Sequence, residues 1–379
     1  MSVAPRVLEL VKAHRGVRTL SVYLDGSVTD FAERNHWRVG LVHEIARVRA
    51  TIHGASHAER EAFDACAEHL LARLPRDDTM LGAPGWAGFA CENGDVYTES
   101  LDTPVPMSVM WAPGLRIIPY VGATNAGSAL VVIADREHST FYSLDGAELR
   151  ELEHHDSHVH LEAGTHMGTT PRQGFHPGTR GEAQHDVTQR EMREASDRFL
   201  KETVRRLRLR AADHGWVAIG GADEAVARLA AALPESLAGR TCIVASLHAS
   251  TPHADIRRLA TEALAAARSG VQHRLVCAVV EMAKEKGRAV FGAEQIAREL
   301  ELGAVELLLL SSAIPRERAD ETEELVRTAL GEGAQVEVVT GAAAALLKVE
   351  AGGVAARLRF STAATPAPRN PAPAAARSV

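Results

Sequence analysis

A helix-length amphipathic stretch, a glycine and an apolar hexamer follow one another over residues 293–310, and no other part of the chain leaves so little structural freedom. Residues 293–302 place Ile296, Ala297 and Leu300 on one helical face. Gly303 then supplies the residue without a Cβ that a left-handed helix stop needs. Residues 305–310 read Val-Glu-Leu-Leu-Leu-Leu, a pattern that is stable as a strand when both of its faces are covered. The segment therefore predicts a helix packed on a buried strand within a layered α/β domain.

Upstream, residues 20–24 (Leu-Ser-Val-Tyr-Leu) form a predicted strand before an Asp25-Gly26 turn. Helices are expected over 31–49 and 56–74, the second with Phe63, Cys66, Ala67, Leu70 and Leu74 at helical spacing. Residues 86–91 and 96–101 flank Asn93-Gly94, the signature of a hairpin closed by a type I′ turn. Pro104, Pro106, Pro113 and Pro119 predict short extended pieces. The small, polar run 122–127 marks a domain boundary. Beyond it, 129–134 is a predicted buried strand, and Asp145-Gly146 turns a hairpin between 140–144 and 149–152. A long polar loop is expected over 154–186 and a helix over 187–211. Strands at 216–219 and 242–246 bracket a helix at 223–232, and two helices are expected at 254–267 and 271–286. The class is thus α/β (α+β), with domains at 1–124, 125–268 and 269–361. Residues 362–379, rich in Pro and Ala without periodicity, are expected to be disordered.

Composition narrows the function. Apolar content of 46% and charged content of 24% are those of a soluble globular chain. No apolar run approaches the ~20 residues that span a bilayer, and residues 1–18 lack an apolar signal core, so cytoplasmic residence with no membrane partner is expected. The four cysteines are far apart and form no Cys-x-x-Cys, which argues against a disulfide framework or a thiolate zinc site. A net charge of −7 means that any nucleic-acid contact must be local, and an aromatic content of 4% argues against a base-stacking platform. Gly220-Gly221 lacks the spacing of a phosphate loop and reads as a tight strand-to-helix turn. No Gly-x-Ser-x-Gly or His-Glu-x-x-His occurs, and no cofactor is expected.

The string 302–310, with its Gly-Ala-Val-Glu followed by leucines, resembles the start of the C-terminal domain in archaeo-eukaryotic peptide-chain release factors and their relative Pelota. The ending Gly352-Gly353 followed by Leu358-Arg359-Phe360 resembles the way those factors close that domain. The strand, hairpin, loop and long helix over 129–211 repeat the order of their middle domain, so the resemblance covers about residues 126–360. Ser21-Val22-Tyr23-Leu24-Asp25 resembles the first strand of divergent bacterial members. The resemblance implies an RNase H-like mixed-sheet middle domain and a C-terminal α/β/α domain like kink-turn-binding ribosomal proteins. It implies a ribosome-binding role for the N-terminal domain and a tRNA mimic in the A site. The implied partners are the ribosome, through rRNA and peptidyl-tRNA, and a translational GTPase, with no DNA.

In release factors the loop before the long helix holds Gly-Gly-Gln, whose glycines let backbone approach the peptidyl-tRNA ester while the amide positions water. Residues 164–186 contain no Gly-Gly-Gln. Counting back from the helix makes Gln184, beside Gly181, the residue to test as catalytic, with Gln173-Gly174 second. Arg172, His176, Gly178, Arg180 and His185 complete a glycine-bearing, cationic segment suited to an RNA backbone. Seven of the 18 histidines fall between His154 and His185. Asp156, His158 and His160 would share a strand face as metal ligands, although solvated histidines are the favoured reading and no metal site is assigned. On the following helix Arg198, Lys201, Arg205 and Arg208 face outward opposite Phe199, Leu200, Val204 and Leu207, a candidate RNA-phosphate face or a merely solvated one. Two functions follow. The first is a non-catalytic binder acting in hibernation or stalling; the second is a rescue or release factor that hydrolyses peptidyl-tRNA. A metal-dependent nuclease is a remote third.

Overall fold

The computed structural model describes residues 5–27, 35–75, 80–124, 127–146, 148–157, 180–285, 287–314 and 318–360. The chain forms two compact units, one of residues 14–271 and the other of residues 272 onward together with residues 2–13.

The first elements are α1 (Pro5–Ala13), β1 (Arg18–Asp25), α2 (His36–Thr51), α3 (His57–Leu71), β2 (Gly85–Cys91), β3 (Val96–Leu101), β4 (Ser108–Pro113) and α4 (Ile118–Thr124). The four strands make an antiparallel sheet in the order β3-β2-β1-β4. Trp37, Leu41 and Val48 of α2 and Phe63, Cys66, Ala67 and Leu70 of α3 close its core over Leu20, Val22 and Leu24. The β2–β3 hairpin differs from the expected type I′ turn. Cys91 N donates to the Asp95 carbonyl at 2.8 Å and Gly94 N to the Cys91 carbonyl at 2.9 Å. Glu92, Asn93 and Gly94 therefore make a longer loop, with Gly94 at φ 92°; a turn followed by a left-handed glycine suits the strand twist as well as Asn-Gly alone. The proline-rich stretch also holds more structure than expected. Pro113 ends β4, where its missing N–H costs no ladder bond, and Pro119 lies in the first turn of α4, where the amide would be unpaired anyway.

The next elements are β5 (Ala129–Ala134), β6 (His138–Asp145), β7 (Glu148–Asp156), α5 (Arg180–Ala211), β8 (Trp216–Gly221), α6 (Asp223–Ala232), α7 (Glu235–Ala238), β9 (Thr241–Ile243) and α8 (His253–Lys284). The sheet order is β7-β6-β5-β8-β9, antiparallel from β7 to β5 and parallel from β5 to β9. α5 and α6 cover one face through Phe199, Leu200, Leu207, Ala225 and Leu229. The first half of α8 covers the other through Ile256, Ala260 and Leu264. α8 is one helix of 32 residues rather than the two expected. Gly270 in its interior costs about 1 kcal/mol, which the packing of both halves outweighs.

The last elements are β10 (Ala289–Phe291), α9 (Ala293–Glu301), β11 (Val305–Ser311), α10 (Ala319–Gly331), β12 (Gln335–Val339), α11 (Gly341–Ala351) and β13 (Val354–Leu358). β11 is central, antiparallel to β13 and parallel to β12. Leu307 and Leu309 pack with Val276, Val279 and Val280 of α8 and Ala343, Ala344 and Leu347 of α11. Leu308 and Leu310, on the opposite face, are equally buried, and α9 and α10 lie against the sheet as well as each other. This is the two-sided burial that the leucine run requires. Gly303 sits at φ 64° just past α9, and Ala304 N donates to the Glu299 carbonyl, completing a Schellman stop. α1 packs on α10 with Val7 and Val11 buried, so the N-terminal helix belongs with the C-terminal elements and not with the sheet that follows it.

Candidate functional site

The site candidates cluster where β7 ends and α5 begins. Both ends of the segment expected as a loop over 154–186 are regular structure. The β6–β7 ladder continues to His138↔Asp156, which takes His154, His155 and Asp156 into the strand. α5 starts at Arg180, because Glu182, Ala183 and Gln184 are strong helix formers that extend the helix backward. Gly181, Gln184 and His185 are thus in helical backbone together with Arg180, and their side chains lie outside the described residues. Arg172, Gln173, Gly174, His176 and Gly178 also lie outside the described residues, as do His158, His160 and His166.

Arg198, Lys201, Arg205 and Arg208 follow one another at spacings of three and four along α5, and all are exposed, while Phe199, Leu200 and Leu207 are buried beneath. Their surroundings are unequal. Arg205 donates to Glu202 at 2.8–2.9 Å, and that hydrogen bonding holds the Glu202 carboxyl below the usual carboxylate range. Arg208 Nε donates to the Ala232 carbonyl at 2.8 Å, capping the end of α6. Arg206 and Arg210, beside the stripe, pair with half-buried Glu153 of β7. Arg198 and Lys201 have no ion-pair partner among the described residues, which leaves them the more available cations. The Glu153 contact could not be read from sequence, since its partners are remote in the chain.

His154 shares a 2.8 Å hydrogen bond with Thr140 Oγ1 and lies 2.8 Å from Asp156 Oδ1, while His155 stacks on Phe199 at 5.1 Å. Among the described residues no group of three or more His, Cys, Asp or Glu is placed to hold a metal ion.

A cleft of ≈ 530 Å³ opens beside the end of β7 and was not anticipated. It lies at the carboxyl ends of the parallel strands β5 and β8, between the turn after β5, the first turns of α6, and α5 from Met192 to Asp197. Glu224 accepts from Arg136 at 3.0 Å and from Arg228 at 3.1 Å, and Arg228 also reaches Asp197 at 2.5 Å. Ser157 closes the rim, its N–H donating to the Glu137 carbonyl at 2.6 Å. Gly221, at φ 120°, makes the passage from β8 to α6 possible: a Cβ there would stand 1.9 Å from the Ala134 carbonyl oxygen. Gly220-Gly221 is therefore the tight turn that the sequence suggested.

Two family models match the chain in succession. Bacterial archaeo-eukaryotic release factor family 10 matches residues 122–268, and eRF1 domain 3 matches residues 273–362. No curated protein matches it. Among solved structures it is similar to an archaeal translation termination factor, aRF1, at 21% identity over 95% of this chain and 99% of that one, with a TM-score of 0.23. Pelota of Archaeoglobus fulgidus is similar at 14% identity, covering 73% and 79%, with a TM-score of 0.33. Dom34 of S. cerevisiae, a translation termination-like factor, is similar at 10% identity, covering 74% and 81%, with a TM-score of 0.46. The two models cover the mixed sheet with its flanking helices and the sheet around β11 with its helices, so the chain is a bacterial release-factor-like protein, similar to archaeo-eukaryotic release factor family 10 over its middle part and to eRF1 domain 3 over its last.

Proposed function

We propose that the protein binds the ribosomal A site as a tRNA mimic and acts in hibernation or in the response to stalling, without hydrolysing peptidyl-tRNA. One observation supports the non-catalytic reading above others. The stretch nearest in position to Gly-Gly-Gln, residues 181–184, has no glycine pair and lies in the regular backbone of α5. Glu182 and Ala183 carry Cβ atoms where a glycine pair has none, so this stretch lacks the bare backbone that close approach to an ester needs. Residues 158–179 are proposed to lie toward the peptidyl-transferase centre, with the α5 stripe against rRNA phosphates. The residues from 272 onward are proposed to bind the ribosome or a translational GTPase. Such a factor works in the cytoplasm; no helix among the described residues is long and apolar enough to cross a membrane.

The test is purified protein with ribosomes that hold peptidyl-tRNA. Co-sedimentation without peptide release is expected. Release abolished by Gln184→Ala would replace this reading with hydrolysis through Gln184, and no co-sedimentation at low salt would remove the ribosome from both.

A further inference from the structure

We propose that the cleft at the carboxyl ends of β5 and β8 is a binding site for a nucleoside phosphate, distinct from the outward-facing stripe of α5. Three observations carry this. The first is position. From β5 the chain proceeds to β6 and β7 on one side and from β8 to β9 on the other, and crevices outside the carboxyl ends of strands, where the strand order reverses, are where open α/β sheets take ligands.

The second is the distribution of charge. Arg136, Glu224, Arg228 and Asp197 form a chain of ion pairs in that order, which links the walls. Arg193 and Glu137, which also line the cleft, have no ion-pair partner among the described residues. Among the described residues that line the cleft, one cation and one anion are thus left for a ligand. A nucleoside phosphate meets both: its phosphate accepts the forked donors of Arg193, and its ribose diol donates to the Glu137 carboxylate, as ribose hydroxyls do to acidic residues in other α/β crevices. A simple inorganic anion would leave Glu137 unmatched and repelled.

The third is size and surface. A volume of ≈ 530 Å³ falls within the range of small-molecule sites. Met192 is 43% exposed at the rim, giving the base a polarizable apolar surface. The nucleoside phosphate could be free or could be the terminal nucleotide of an RNA. The inference does not rest on ribosome binding, since every residue it uses acts on a nucleotide alone.

Calorimetric titration of the full chain tests it, with adenosine 5′-monophosphate, adenosine, inorganic phosphate and a 5′-phosphorylated tetraribonucleotide as probes. The monophosphate or the tetranucleotide should bind at least tenfold more tightly than adenosine or phosphate. Arg193→Ala should weaken it about tenfold, and Glu137→Gln should weaken it by a similar factor while leaving phosphate unchanged. Arg258→Ala, on α8 at the other face of the sheet, should leave it unaltered, and circular dichroism should show each variant folded. Binding of the monophosphate assigns a free nucleotide; binding of the tetranucleotide alone assigns an RNA terminus. No binding of either at millimolar concentration, or binding untouched by both cleft variants, overturns the proposal.

Discussion

Two glycines show how one substitution acts through different physics. Gly303 has φ 64° with open space where a Cβ would go, whereas Gly221 has φ 120° with the Ala134 carbonyl oxygen 1.9 Å from that position. Gly303→Ala meets only the left-handed strain and should cost about 1–2 kcal/mol. Gly221→Ala adds a backbone clash that no side-chain rotation relieves and should cost about 3 kcal/mol or more. Urea denaturation of the two variants checks both; equal losses would mean that the β8–α6 turn relaxes around the added carbon. The need at Gly303 was legible from sequence because a helix stop is local. The need at Gly221 was half legible: the turn could be read, but the approaching carbonyl belongs to β5, 87 residues earlier in the chain.

Among the elements, α5 repays comparison with its sequence reading. Helical spacing gave the buried face and the exposed stripe, because both follow from a period of 3.6 residues. It could not rank the stripe, because rank depends on partners from β7 and α6. Arg205 and Arg208 are engaged within the fold, and Arg198 and Lys201 have no ion-pair partner among the described residues. Replacing Arg198 and Lys201 together with Ala should therefore weaken ribosome binding more than replacing Arg208. It should also lower the slope of log affinity against log salt by about 1.5. Co-sedimentation across a salt series measures this, and a slope identical to that of the unaltered protein would remove the stripe from the interface. The start of α5 was misplaced for a related reason. Glycine, histidine and arginine at 180–186 suggested a loop by composition, yet helix propagation depends on the residues already in the helix as much as on those being added.

At the scale of the whole molecule, the chain is organised by contacts distant in sequence. Deleting residues 1–13 should destabilise the unit built from residues 272 onward by about 3–6 kcal/mol, the contribution of burying Val7 and Val11. The unit of residues 14–271 should be nearly unchanged. Differential scanning calorimetry would show which transition moves; a shift confined to the larger unit would refute the assignment of α1. The larger unit carries its own pH dependence. Asp102 follows β3, and partial desolvation, then Asp145, Glu99 and Glu148, push its carboxyl above the ordinary value of 3.8. Because the folded value is raised, its contribution is most favourable at acid pH and is lost as pH rises through the folded value. Asp102→Asn should accordingly stabilise the unit at pH 7 and make no difference at acid pH, as thermal melts at the two conditions would reveal. A variant less stable at pH 7 than the parent would reverse the sign of the argument.

By itself the sequence determined the class of fold, the family and the identity of the helices and strands with strong periodicity. Each of these is set by local pattern: a leucine run that must be covered on two sides, a glycine that ends a helix, an apolar stripe every third or fourth residue. The tertiary structure decided that α1 joins the far end of the chain, that 253–284 is one helix, which arginines of α5 are engaged, and that a cleft opens beside β5 and β8. These depend on which surfaces meet in space, and the free energy of such meetings is not written in any window of neighbouring residues.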